Sequence, residues 1–299
     1  MKYNYKIYGL SVCSPMPIIE AIEIEKQETY DVTIEMKNVD FLPNEVNGAI
    51  YFQPEKIRFF IKNVGWYTVT NGSGILIESM NSAILDNIKC YLLGSAFGFL
   101  MIQRKKLAVH GSCVACQGKG VILTGESGAG KSTIATSLCL QGNTFVSDDV
   151  SALERLNNKV LVQMAYPQRK LCKDAAVLLG YTMDQMIPLD GPRDKYAVRL
   201  TKTSEYIETV ELYNIIELCV SNNTEKVTAT ELNGYEKLTV FIHNIFRYEL
   251  LVDIGLPADF MKKCLDVVKE IPMYRITRPY GQNTEEEIVD CIYELISEG

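Results

Sequence analysis

The sequence predicts a mixed α/β chain, with a mainly β region over residues 1–104 followed by an α/β phosphate-binding domain over residues 105–299. Three observations predict it. Up to about Met80 the pattern is short, β-branched and aromatic, with turn residues between the runs. A helical repeat of three to four then runs from Asn81 to about Gln103. Beyond it, an apolar strand leads directly into a Gly-rich loop and a helix, the order of a βαβ unit.

The elements follow in chain order. Tyr3 to Leu10, Asp31 to Met36, Ala49 to Phe52, Ile57 to Ile61 and Gly65 to Thr70 read as strands. Pro43-Asn44, Asn47-Gly48 and Asn71-Gly72-Ser73-Gly74 punctuate them, so this half reads as a meandering sheet. Ile84, Ile88, Leu92, Leu93, Phe97 and Leu100 form the apolar stripe of the helix that follows. Its most apolar stretch, Cys90 to Ile102, is about half of the ~20 residues that a membrane span requires, and Arg104-Lys105-Lys106 closes it; a buried helix is expected. Leu107 to Cys116 and Val121 to Thr124 are apolar strands, Ser132 to Gln141 is helical, and Thr144 to Val146 is a short strand ending in Ser147-Asp148-Asp149. Ser151 to Leu156 and Lys159 to Gln163 form a hairpin, and Pro257 to Glu270 and Thr284 to Ser297 are closing helices.

Bulk composition excludes some classes. With 47% apolar residues and a net charge of -7 spread along 299 residues, the chain suits a folded acidic protein, and a general nucleic-acid binder would be basic. It opens without the charged-then-apolar pattern of a secretion signal, so the nine scattered cysteines read as free thiols of a reducing cytoplasm. Cys113 and Cys116 form one CxxC, but no second pair or nearby histidine completes a four-ligand zinc site.

The chemistry concentrates in one stretch. Gly125-Glu126-Ser127-Gly128-Ala129-Gly130-Lys131-Ser132, with Thr133 after it, fits GxxxxGK[ST] between a strand and a helix. Its glycines let successive N–H groups turn toward phosphate oxygens, and the helix adds its positive end. Lys131 would bridge the outer phosphates of a nucleotide, and the Ser132 hydroxyl would ligate Mg²⁺. Asp148 and Asp149 end a short apolar strand, where a phosphate-loop protein keeps its metal-binding acid. A doublet exceeds that need, so one carboxylate is free to accept the proton of an attacking hydroxyl. His110 ends the strand before the phosphate-loop strand, which leaves both a structural and a functional role open to it.

His110-Gly111, the loop from Gly125 to Ser132, and Ser147-Asp148-Asp149 resemble the catalytic core of the HPr serine kinase/phosphorylase family, whose fold is akin to that of ATP-dependent phosphoenolpyruvate carboxykinase. The resemblance covers roughly Leu107 to Val150. It implies a P-loop HPr kinase/phosphoenolpyruvate carboxykinase-like domain that uses ATP and Mg²⁺. It also implies Asp149 as proton acceptor, Asp148 as its metal-side neighbour and His110 close to the transferred phosphoryl group. By the same resemblance Asp174 stands where a further acidic metal ligand belongs, and Arg193 or Lys195 where a basic residue approaches the phosphate. Departures accompany it: Glu126 stands where those enzymes usually carry Asp, the family's C-terminal glycine- and arginine-containing signature is not found, and the N-terminal half does not resemble their regulatory domain. The chain looks more like the shorter relatives that phosphorylate a serine of a peptide, and Tyr166 to Leu171 with Asp174-Ala175 resembles a segment of those proteins.

The expected activity is therefore transfer of the γ-phosphoryl group of ATP to a serine or threonine hydroxyl of a peptide or small protein. One competing reading is a carboxykinase-type lyase acting on a small dicarboxylate, which would need an arginine cluster that the sequence does not display. The other is a nucleotide-binding protein that transfers nothing. Expected partners are the nucleotide and the peptide substrate, which an exposed edge strand of the N-terminal sheet could hold. Neither nucleic acid nor membrane is expected, and oligomeric state is left open, a homo-oligomer included.

Overall fold

Residues 32–36 and 74–80 alternate between more and less buried positions, which gives each strand one face for a core. The computed structural model, which describes residues 2–40, 46–178, 180–189, 195–200, 202–253, 256 and 258–297, builds an eight-stranded sheet around them. Its order is Ile22–Glu23, Tyr3–Ile7, Leu10–Ser14, Val32–Val39, Gly74–Met80, Gly65–Thr70, Lys56–Ile61 and Ile50–Gln53. The sheet is not the plain meander expected from the sequence. Val32–Val39 pairs in parallel with Leu10–Ser14 on one side and with Gly74–Met80 on the other, because the strands between Ile50 and Met80 fold back as one antiparallel unit beside it.

The helix Leu85–Gln103 lies against the apolar face of this sheet. It is the one described helix long and apolar enough to cross a membrane, yet Leu92, Phe97 and Leu100 are wholly buried among Tyr67, Val69 and Ile77 of the sheet. Burying side chains of this size contributes about 1.5–3 kcal/mol each. Its middle, Leu92–Ala96, is wound as a π-helix, a local widening that periodicity in the sequence does not reveal.

The second sheet is built entirely from residues after 106. Across it run Thr144–Ser147, Ser112–Cys116, Lys119–Thr124, Thr209–Ser221, Lys159–Gln163, Ser151–Leu156 and Leu107–Val109. The 13-residue central strand Thr209–Ser221 has different neighbours along its far edge: Lys159–Gln163 pairs with its first residues, and Met273–Pro279 runs parallel to its last. Lys131–Leu140 and Glu285–Ser297 cover one face, and Gly234–His243 and Phe260–Glu270 the other, the layering of an α/β domain. The mixed α/β class expected from the sequence is the one observed. A small third sheet, Gln168–Cys172, Lys195–Arg199 and Ile187–Leu189, lies beside it.

Two expectations are corrected. Leu107 to Cys116 is not one strand: Leu107–Val109 and Ser112–Cys116 belong to different parts of the sheet, and the chain turns between them at His110-Gly111. Only glycine fits at 111, where a Cβ would sit 2.5 Å from the Leu123 carbonyl oxygen. The two strands of the expected βαβ unit are also not neighbours, since Ser112–Cys116 lies antiparallel between Lys119–Thr124 and Thr144–Ser147. Cys113 and Cys116 are both buried within that inserted strand, and all nine cysteines are free.

Candidate active site

Lys119–Thr124 delivers the chain to the phosphate loop, and its first turn depends on Gly125. That residue has φ +121, and a Cβ there would sit 2.3 Å from the Leu218 carbonyl oxygen of the central strand. Its N–H donates to the Asn244 side-chain oxygen at 3.2 Å. Gly130, with φ +107, then turns the chain into the Lys131–Leu140 helix. The loop thus opens on a helix N-terminus, a ready anion site. Lys131 arches back, its ammonium donating to the carbonyl oxygens of Gly125 at 2.8 Å and Glu126 at 3.1 Å.

The Asp doublet divides sharply. Asp148 is 6% exposed and accepts four hydrogen bonds. Its Oδ1 receives the Ser112 hydroxyl at 2.6 Å, the Ser132 hydroxyl at 3.0 Å and the Asp149 N–H at 3.0 Å, while its Oδ2 receives the Lys170 N–H at 2.8 Å. Ser132 Oγ and Asp148 Oδ1 are hard oxygens 3.0 Å apart, the donor chemistry that suits Mg²⁺. Among the described residues no group of three His, Cys, Asp or Glu side chains could hold a metal ion.

Asp149 stands at a strained corner. Its φ is +63, and the Val150 N–H donates to the Asp148 carbonyl at 2.8 Å, closing a three-residue turn centred on it. The corner turns the carboxylate toward the cleft, where Lys170 Nζ pairs with Oδ2 at 2.8 Å. Burial works to raise the Asp149 pKa, but Lys170, Lys195 and His110 outweigh it and hold the group well below the usual carboxylate range. Lys170 is displaced the opposite way: burial opposes its charge, and Asp149 beside it keeps it protonated. Its ammonium also lies beside the π-helical turn, where a Cβ on Gly94 would sit 3.4 Å from Nζ.

His110 lines the same cleft. Its N–H donates to the Asn244 carbonyl at 2.7 Å, and its carbonyl accepts the Thr124 hydroxyl at 2.8 Å, so the corner is fixed on both sides. Burial and the positive charge of Lys131 lower its pKa, with Asp149 and Asp148 opposing, and the ring is neutral near pH 7.

The cleft has a volume of about 460 Å³. It gathers His110, Ser127, Gly128, Ala129, Gly130, Lys131, Ser132, Thr133, Asp149, Asp174 and Lys195 from the sequence candidates, with Gly125 and Asp148 buried beside this lining and Glu126 exposed on the loop. Asp174 is exposed and accepts the Ala175 N–H at 2.9 Å; it does not join Asp148 and Asp149 in a metal-holding group. Arg193 lies outside the described residues. Sequence reasoning missed three contributors: Lys170 as the partner of Asp149, Asn244 as the clamp of both the loop and His110, and Arg278, whose Nε donates to the Ala129 carbonyl at 3.4 Å. Lys170 lies in a buried strand with Gln168 and Arg169 beside it and no motif to single it out, and the other two lie over a hundred residues from the loop they touch.

Comparisons with known proteins point to the same segment. Residues 103–172 match the HPr Serine kinase C-terminal domain, a stretch that contains His110, the phosphate loop, the Asp doublet and Lys170. The HPr kinase/phosphorylase of Nitrosomonas europaea is 29% identical over 147 residues, 49% of this chain and 38% of that protein. The HPr kinase/phosphorylase of Bacillus subtilis is 27% identical over 179 residues, 54% of this chain and 55% of that protein. The chain thus spans about half or less of the length of these curated relatives. Among solved structures, the Hpr(Ser) kinase/phosphatase from Coxiella burnetii covers 64% of this chain and 93% of its own, at 16% identity and a TM-score of 0.34.

Proposed function

We propose, from the relation of residues 103–172 to HPr serine kinases and from the geometry of the cleft, that this chain is an ATP-dependent phosphotransferase. It moves the γ-phosphoryl group of ATP to a serine or threonine hydroxyl of a peptide or small protein. The observation that carries this reading is the Asp149 carboxylate, kept ionised by Lys170 at 2.8 Å and facing the cleft that the phosphate loop floors.

In this reading the loop N–H groups and the helix N-terminus hold the phosphates, and Lys131 swings from its own loop carbonyls onto the outer ones. Ser132 and Asp148 would hold Mg²⁺, which would supply charge neutralisation for the transferred group. As the acceptor oxygen bonds to phosphorus and the bond to the ADP oxygen breaks, Asp149 takes the hydroxyl proton. His110 and Lys195, which line the cleft, are assigned to the surroundings of the transferred group.

The test incubates the protein with ATP, Mg²⁺ and candidate Ser- or Thr-containing peptides, then reads mass shifts and locates the modified residue by fragmentation. A gain of one phosphate on a hydroxyl is expected. Phosphate on histidine or aspartate, transfer of the nucleotide, or a carboxylation-linked product would reject this reading.

A further inference from the structure

The phosphate-loop helix has a different neighbour on each flank. On one side is the Gln168–Cys172 strand, which carries Lys170 to Asp149; on the other is the Glu285–Ser297 helix. The cleft above the helix N-terminus therefore has two walls. Asp149, Lys170 and Lys195 belong to the first, and Arg278 with the turn Gln282, Asn283, Thr284 and Glu285 belongs to the second. A nucleoside triphosphate whose γ-phosphate reacts beside Asp149 must extend its other end toward that second wall.

The chemistry of the second wall fits a nucleoside better than another phosphate. Gln282 and Asn283 are exposed and offer amides that both donate and accept, the groups that read a base edge or a ribose hydroxyl. Thr284 is 5% exposed, and its hydroxyl has no partner, an arrangement that costs stability unless something pairs with it. Glu285, Glu286 and Glu287 fill the first helical turn, so this helix end, unlike that at Lys131, repels additional phosphate. Arg278 stands between the two regions, with its guanidinium against the Ala129 carbonyl of the phosphate loop.

We infer that Arg278 and the turn from Gln282 to Glu285 form the nucleoside-binding wall of the cleft. Arg278 pairs with the phosphate nearest the ribose, and the Gln282 and Asn283 amides hold the base and ribose. This rests on the nucleotide-binding reading given above.

Calorimetry with two probes separates the parts: MgATP, and inorganic tripolyphosphate with Mg²⁺, which has the phosphates without the nucleoside. The double variant Gln282→Ala/Asn283→Ala changes only exposed side chains. It is expected to weaken MgATP by about tenfold, as the loss of two hydrogen bonds implies, while tripolyphosphate stays within about twofold. Arg278→Gln is expected to weaken both probes. Equal loss of both probes in the double variant, or unchanged MgATP affinity, overturns the inference. A wild-type protein that binds the two probes equally well overturns it alone, whereas one that binds neither overturns the nucleotide-binding reading as well.

Discussion

Burial raises the proton affinity of Asp149, and the cations Lys170 and Lys195 lower it further than burial raises it. The carboxylate is therefore ionised throughout the neutral range and cannot hold a proton before the acceptor oxygen attacks. Asp149→Asn keeps the shape and removes the acceptor; turnover should fall by about 10² to 10⁴, with MgATP affinity nearly unchanged in calorimetry. Lys170→Met is expected to act through pH instead. The wild-type group sits below the ordinary value of about 3.9, so ionised Asp149 persists until the pH falls beneath that range. Without Lys170, burial remains and its main opponent is gone, so the acid limb of the pH–rate profile should move to higher pH; an unmoved limb would show that Lys170 does not set the ionisation of Asp149. At this scale the phosphate loop, the Asp doublet and His110 were legible as candidates because they lie within forty residues, each in a context that the chemistry requires. The ion pair was not: Lys170 reads as one of three consecutive polar residues, Gln168-Arg169-Lys170, and only the third sheet brings it to Asp149.

Strand and helix types were legible in the hairpin Ser151–Leu156 with Lys159–Gln163 and in the closing helix Glu285–Ser297, whereas the half-buried strands Gly74–Met80 and Thr209–Ser221 were not read. Pairing was harder to read. The parallel ladder between Val32–Val39 and Gly74–Met80 joins segments more than thirty residues apart, and no local turn encodes it. The break at His110-Gly111 was missed because Leu107–Val109 and Ser112–Cys116 on either side of it are buried at every residue, and periodicity cannot mark a corner between two fully buried segments. The junction at Gly125 belongs to the same scale, since it joins a strand, a loop and the neighbouring central strand. An added methyl would meet the Leu218 carbonyl oxygen, which the sheet holds in place, and φ +121 is costly for any side chain. Backbone strain of this kind costs about 1–3 kcal/mol. Gly125→Ala should accordingly lower the urea midpoint and weaken MgATP together, whereas retained affinity at reduced stability would separate the loop's conformation from this contact.

The sequence pattern changes near residue 104; the strands of the first sheet end at Met80 and those of the second begin at Leu107. Side-chain packing does not stop there. A single apolar cluster joins Tyr8, Phe97 and Leu100 to Ala108, Val150, Ala152, Ala165 and Tyr166, across the point where composition changes. Tyr8 adds polar ties, its N–H donating to the Met164 carbonyl at 2.9 Å and its hydroxyl to the Val150 carbonyl at 3.2 Å, one residue beyond Asp149. Each large apolar side chain in such a cluster contributes about 1.5–3 kcal/mol, while a domain's whole stability is about 5–15 kcal/mol, so losing the cover of several of them removes a large share of a dependent unit's stability. The full chain is therefore expected to melt in one calorimetric transition, with the van't Hoff and calorimetric enthalpies equal. Residues 105–299 produced alone should lack a cooperative transition and bind no MgATP, because Val150 and Tyr166 lose their cover and Lys170 loses the π-helical turn beside it. Two resolved transitions in the full chain, or a fragment that melts cooperatively and binds MgATP with unchanged affinity, would show that the shared cluster does not couple the two regions.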